Sequence, residues 1–222
     1  MPAYFVAGTG TGIGKTFVTT ALCQQLRERK KHVFAIKPII TGWTDNPETN
    51  DTLLILESLS LAPTPEHIAR ISPWRFQAPL AAHLAARKEG VTLCFEDILD
   101  FCNASCTAHL QAKDDYVLIE GAGGIMSPVT NDTTYLNLVA SLRIPVILVC
   151  GSYLGSISHT LTAMEVLASR GIPVKHVIIS ESEGSNTSLS DTTQTLTHLL
   201  KRQVIYLPRL MKPQARFWTA LL

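Results

Sequence analysis

One stretch near the start of the chain limits its possible folds more than any other. Phe5-Val6-Ala7 is a short apolar run, and Gly8-Thr9-Gly10-Thr11-Gly12-Ile13-Gly14 is a glycine-rich loop. Lys15-Thr16 follows, with a helix expected from about Phe17. Strand, glycine loop and helix in that order bring backbone N–H groups and a helix N-terminus to one point, which suits an anion. Lys15 would reach the β- and γ-phosphates of a nucleoside triphosphate, and the Thr16 hydroxyl would ligate Mg2+. The strict pattern asks for a glycine where Thr9 stands. Gly8 supplies it one position earlier, so the loop is one residue longer. The same glycines would serve a dinucleotide fingerprint, but Gly-Lys-Thr at the helix start favours a triphosphate.

Further along, apolar runs at 4–7, 33–36, 116–119, 146–150, 174–179 and 204–207 are short enough for strands. They are continuous rather than alternating, which indicates strands covered on both faces, as in a parallel sheet. Segments with helical character lie among them at 16–29, 133–142 and 158–169, and Gly171-Ile172-Pro173 reads as a helix stop. Alternating elements of this kind predict an α/β fold: a single-domain, doubly wound, mostly parallel sheet with helices on both faces, spanning 1–222. Two polar stretches, 44–52 and 181–193, either border a ligand site at the carboxyl ends of strands or serve as solvated connections.

A formal net charge of +1 gives no support for a nucleic-acid or membrane-surface partner held by bulk electrostatics. No apolar run approaches the roughly 20 residues of a membrane span, and no signal peptide is expected at the start. The cysteines at 23, 94, 102, 106 and 150 are odd in number and unpatterned, as in ordinary thiols of a reducing cytoplasm. His83, on a helix-like segment 79–86, reads as packed or surface-exposed. His159 sits at an expected helix start, where a structural role and ligand contact are equally open. Trp43, Trp74 and Trp218 are too far apart to define a cage.

A phosphate-binding loop needs magnesium ligands. Tyr116-Val117-Leu118-Ile119-Glu120 has the form of a Walker B strand ending in a carboxylate, and Gly121-Ala122-Gly123-Gly124 lets backbone approach phosphate. The alternative for Glu120 is a strand-end acid in water. Lys37 follows the run 33–36 directly and precedes Pro38, so it would point into the same crevice if that strand is buried; a plain surface lysine is the alternative. Asp51 is one acid among several, with Asp45 and Glu48 close by.

In order and spacing these residues resemble the dethiobiotin synthetase family through nearly the whole chain. Gly8-Thr9-x-Thr11-x-x-Gly14-Lys15-Thr16 is similar to that family's P-loop, although Gly10 stands where an acid is common. Lys37-Pro38 with Thr41-Gly42 looks like its active-site lysine segment. Asp51 and Glu120 with the following glycines match its magnesium acids. Pro128, 145–149, 155–159, Pro208 and the closing Ala220-Leu221-Leu222 follow in register.

The resemblance implies ATP-dependent ring closure of 7,8-diaminononanoate with CO2, through a carbamate and a carbamic–phosphoric anhydride. Lys37 and Lys15 would be catalytic. Thr16, Asp51 and Glu120 would hold Mg2+. ATP would meet Gly12, Ile13, Gly14, Lys15, Thr16, Phe17, Asp51, Glu120, Gly121, Ala122, Gly123, Ser180, Pro208, Arg209 and Leu210. The diamine would meet Thr11, Lys37, Thr41 and the backbone at Gly155, Ser156, Ile157 and Ser158, a contact that crosses the interface of a homodimer. Three departures stand out. Ser180 occupies the place of an adenine-reading asparagine, Lys212 lies near a position where an acid often holds nucleotide, and no tyrosine lies between Ser180 and Val204. A nucleotide-switched partition or positioning ATPase of the same fold is the alternative, but it would carry a lysine where Gly10 stands. A related amidoligase and a silent nucleotide binder stand behind it. The first would need a glutamine-handling domain, and the second is disfavoured by the retained charged residues.

Overall fold

A computed structural model describes residues 2–46 and 48–208. In chain order the elements are β1 (Ala3–Gly8), α1 (Lys15–Glu28), β2 (His32–Ile36), β3 (Ile39–Thr41), α2 (Asp51–Ser58), α3 (Pro65–Ile71), β4 (Trp74–Phe76) and α4 (Ala82–Lys88). There follow α5 (Phe95–His109), β5 (Asp115–Glu120), α6 (Tyr135–Leu142), β6 (Val146–Gly151), α7 (Ser156–Ser169), β7 (Val174–Ser180), α8 (Leu189–Leu200) and β8 (Ile205–Leu207). Six strands form one all-parallel sheet in the order β2-β5-β1-β6-β7-β8. Every residue of β1 and β6 is buried. Side chains alternate between faces along a strand, so both faces of the sheet centre are covered, as the unbroken apolar runs predict. One hydrophobic cluster runs from the strands into α1, α2, α6 and α7.

All six expected strands are present with small shifts at their ends. The helices differ more from expectation. α1 opens at Lys15 rather than Phe17, because Gly14 is already its N-cap. α7 opens at Ser156, two residues early, behind Gly155 in the left-handed region. The polar stretch 181–193 is only partly irregular: the Ser188 hydroxyl accepts from the Asp191 amide at 3.2 Å and starts α8 at Leu189. The stretch 44–52 ends the same way, with Asn50 capping α2 through the amides of Thr52 and Leu53. β3 and β4 pair with each other in a small separate sheet that lies outside the six expected strands. Three residues are too few to show a period.

Candidate active site

Sheet order decides what meets here. β2, β5 and β1 are parallel neighbours, so their carboxyl ends open on one edge. β1 delivers the glycine loop, β5 ends in Glu120 and β2 hands directly on to Lys37. α2 presents Asp51 at its first turn. Glu120 Oε1 accepts from Thr16 Oγ1 at 2.7 Å and from Lys37 Nζ at 2.9 Å, and Lys37 Nζ also donates to Asp51 Oδ2. Lys15 Nζ curls back to the carbonyl oxygen of Gly10 at 2.6 Å. Residues from four segments of sequence thus form one charged cluster. Lys15, Lys37 and Glu120 are 6%, 5% and 1% exposed.

Burial gives these charges unusual properties. Desolvation pushes the Lys15 ammonium down to about 8; the nearby Lys37 charge adds to this, and Glu120 and Asp51 oppose it. At Lys37 desolvation acts in the same downward direction, but the contacts with Glu120 and Asp51 overcome it and hold the ammonium above its ordinary range. Lys37 therefore remains a cation, and Lys15 is still mostly protonated at about pH 7 but gives up its proton more readily than an ordinary lysine.

Glu120 Oε2 is buried and has no hydrogen-bond partner among the described residues. An orphaned carboxylate oxygen beside a threonine hydroxyl and a second acid fits a hard cation. Asp51 keeps 34% of its side chain exposed. The donors are all oxygens and too few to close a shell, which suits Mg2+, an ion that keeps waters and shares phosphate oxygens. No group of three or more His, Cys, Asp or Glu able to hold a metal exists among the described residues.

Two glycines are required by their surroundings. Gly14 has φ +93°, and a Cβ there would lie 2.6 Å from Ser180 Oγ. A Cβ at Gly8 would meet the side chains of Ile13 and Lys15, both at 2.9 Å, and block the path along which Lys15 folds over the loop.

The cleft over the cluster has a volume of about 660 Å3. Thr11, Gly12, Phe17, Thr41, Ala122 and Gly123, all singled out from sequence, line it together with Lys15, Lys37 and Asp51, while Glu120 lies buried beneath them. Ile13 is buried under the loop, and Gly121 packs on Phe5 behind it. Ser180 lies at the end of β7 against Gly14, and Pro208 follows Leu207, which pairs with Ser180 in β8. Arg209, Leu210, Lys212 and Trp218 lie outside the described residues.

Gly155, Ser156, Ile157 and Ser158 do not line this cleft. His159 of the same helix borders an adjoining cavity of about 510 Å3 that shares Thr11, Ser127 and Pro128 with it. His159 is exposed and its Nδ1 lies 2.9 Å from the Tyr153 hydroxyl. Sequence reasoning missed the far wall, Pro79-Leu80-Ala81-Ala82. That stretch reads as part of a helix, whereas α4 begins only at Ala82 and Leu80 stands 44% exposed at the cleft. A large apolar side chain just ahead of a helix was the available signal.

A family model described as an AAA domain matches residues 2–212. The chain is similar to the ATP-dependent dethiobiotin synthetase BioD of Methylobacterium nodulans, 46% identical over 191 residues and 84% of each chain. It is also similar to that of Caulobacter vibrioides, 41% identical over 222 residues, covering 99% of this chain and 96% of the relative. Among solved structures, the MinC:MinD cell division complex of Aquifex aeolicus aligns with a TM-score of 0.57 at 15% identity, over 98% of this chain and 85% of that one. A ParA family ATPase of Chlorobium tepidum aligns at 0.52 and 12%, over 99% and 89%. At such identities these two likenesses concern the fold alone.

Proposed function

The chain belongs to the dethiobiotin synthetase family, and from that premise we propose that the cleft over Lys15, Lys37 and Glu120 is where its ureido ring is closed. Its activity is ATP-dependent dethiobiotin formation, a cyclo-ligase step of biotin biosynthesis. The partition or positioning ATPase reading has only fold-level similarity behind it.

The reaction we assign to the cleft has three steps. A neutral amine of 7,8-diaminononanoate adds to CO2 and releases a proton, giving a carbamate. A carbamate oxygen attacks the γ-phosphorus of ATP and ADP leaves, giving a carbamic–phosphoric anhydride. The second amine attacks the anhydride carbon, the C–O bond to phosphate breaks, and the ring closes with release of phosphate. The obstacle is electrostatic, because one anion must approach another that is more highly charged. The observation that carries our reading is the Lys37 ammonium, buried against Glu120 and Asp51 at the mouth of the phosphate loop.

We assign Lys37 to the carbamate and the transferring phosphoryl group, Lys15 to the phosphates, and the amides of 12–16 to the charge that develops on them. Thr11 and Thr41, which line the cleft, we assign to the diamine. Two buried cations beside the reacting amine also favour its neutral form. When bound through Thr16, Asp51 and Glu120, Mg2+ would supply further neutralisation of the triphosphate. The test of this reading is phosphate release from ATP that requires both bicarbonate and the diamine, with mass detection of the ring-closed product. Phosphate release at the same rate without the diamine would contradict it.

The substrate's distant carboxylate we assign to the amides at 155–158, contributed by a second copy of the chain. These residues lie outside the cleft of their own chain but beside a cavity that adjoins it, and a helix N-terminus favours an anion. Sedimentation velocity is expected to show a dimer at assay concentration; an active monomer would contradict the assignment. The chain we read as one P-loop domain working in the cytoplasm. No helix among the described residues is long and apolar enough to cross a membrane.

Ser180 is assigned to the base of the nucleotide. A hydroxyl matches the donor–acceptor edge of adenine less well than an amide does. Discrimination among triphosphates should therefore be weak: kcat/KM for ATP, CTP and GTP is expected to fall within about tenfold, the scale of one neutral hydrogen bond. A preference for ATP above a hundredfold would contradict the role given to Ser180.

Lys15 makes ATP binding depend on pH. Without ligand it loses its proton near 8, whereas bound phosphates would keep it protonated. Below pH 8 this group leaves affinity unchanged. Above it, binding must take up a proton, and affinity should fall about tenfold per pH unit. Calorimetry at pH 9 in buffers of different ionisation enthalpy would detect the uptake; a flat affinity from pH 7 to 9.5 would contradict it.

A further inference from the structure

Two buried hydroxyls that the chemistry above does not use lie behind Lys37. Ser72, between α3 and β4, donates from Oγ to the main-chain carbonyl of Lys37 at 2.7 Å. Its oxygen lies 2.7 Å from Thr52 Oγ1. A serine hydroxyl has one proton, and here it is committed to the carbonyl, so Thr52 is the donor in the second contact. One residue before Ser72, the Ile71 carbonyl accepts the Lys37 amide at 3.1 Å. The pair 71–72 therefore holds both polar groups of the Lys37 main chain. Thr52 is the neighbour of Asp51 in the first turn of α2, and its own amide is held by Asn50 Oδ1 at 2.9 Å. Thr52 and Ser72 are both fully buried.

We propose that Thr52 and Ser72 form a hydroxyl bridge that sets the Lys37 ammonium relative to Asp51 and the phosphate loop, making both of them positioning residues for the phosphoryl-transfer step. Lys37 and Asp51 belong to different elements 14 residues apart in sequence, and a direct contact between two flexible side-chain ends does not fix where either backbone lies. The bridge does, because it links the main chain under one to the helix turn that carries the other. Removing either hydroxyl leaves a buried polar group without its partner, and the segments relax to relieve it. A shift of a fraction of an ångström at the β2 end is carried to Nζ. A catalytic group misplaced on this scale loses rate rather than binding.

The inference rests on the assignment of Lys37 as the catalytic cation. The experiment measures kcat, KM for ATP and thermal unfolding for Ser72→Ala, Thr52→Val, Thr52→Ser and the double variant Thr52→Val/Ser72→Ala, with Lys37→Ala as control. Ser72→Ala and Thr52→Val are each expected to lower kcat about tenfold, with KM for ATP changed less than about twofold. Thr52→Ser, which keeps the hydroxyl, should recover most of the loss. The double variant should fall no further than Ser72→Ala, because both changes break one bridge. Folded variants with undiminished kcat would overturn the proposal, as would Thr52→Ser being as slow as Thr52→Val. If Ser72→Ala fails to fold, the comparison of Val with Ser at position 52 decides. Full turnover in Lys37→Ala would instead remove the premise, a result distinct from failure of the bridge.

Discussion

Lys37→Ala is expected to lower kcat by about 10²–10³-fold, the usual scale for loss of one preorganised electrostatic group, while the Kd for ATP changes by less than about threefold. The asymmetry follows from placement. Lys37 contacts the two acids and lines the cleft, where we assign it to the carbamate, whereas the nucleotide's phosphates are assigned to the loop and Lys15. The substitution also leaves Glu120 and Asp51 facing each other without their shared cation. Breaking a buried ion pair from one side costs roughly 3–5 kcal/mol of stability, although exposure of Asp51 discounts its share. The variant should thus unfold at lower temperature yet bind nucleotide normally when folded. Steady-state kinetics and calorimetric ATP titration on the same preparation separate the two effects. Unchanged turnover would contradict the role of Lys37; lost ATP binding would place it on the nucleotide instead.

Glu120→Gln should have an effect of similar size for a different reason. The acid is almost fully buried; one oxygen accepts from both Thr16 and Lys37, and the other has no partner among the described residues. An amide of the same shape keeps one acceptor oxygen but places an NH2 at the position we assign to the divalent ion, which would need an anion there. We expect kcat to fall roughly 10²–10³-fold, with a rise in the Mg2+ concentration needed for half-maximal rate. Asp51→Asn should be milder, because water reaches Asp51 and can replace part of what it supplies. Measuring Mg2+ activation curves for both variants checks the ranking. Equal curves for Glu120→Gln and the parent would remove Glu120 from the metal site.

Much of this site was legible in the sequence because its parts sit at points where local patterns change. Lys15 and Thr16 follow glycines at the start of a helix. Glu120 ends an apolar run, and Lys37 begins where another stops. In a parallel sheet such ends converge, so residues 104 and 83 apart in sequence come within hydrogen-bond distance. Asp51 was harder to separate from Asp45 and Glu48. Asn50 was the overlooked signal: an asparagine ahead of a short apolar helix is a cap, and it fixes which acid enters the first turn.

The remainder was hidden for physical reasons. β3 and β4 have three residues each, too short to reveal periodicity, yet they set the spacing between Lys37 and Ser72. The contact of Ser72 with the Lys37 carbonyl joins positions 35 apart through a backbone group that carries no residue identity. The wall at 79–82 depends on where a helix begins within an alanine-rich run, which composition leaves open. The crossing of Ser180 over Gly14 depends on strand order, since β7 reaches the loop only because β6 lies between it and β1.

The central claim is that two anions, a carbamate and a triphosphate, are brought into reaction over one cluster of buried cations. Its most direct test is a single turnover started with 18O-labelled CO2 and quenched before the label exchanges with water. The mechanism predicts one labelled oxygen in each phosphate released alongside ring-closed product, because the carbamate oxygen that attacks the γ-phosphorus stays with it when the ring forms. Unlabelled phosphate formed together with that product would contradict the account.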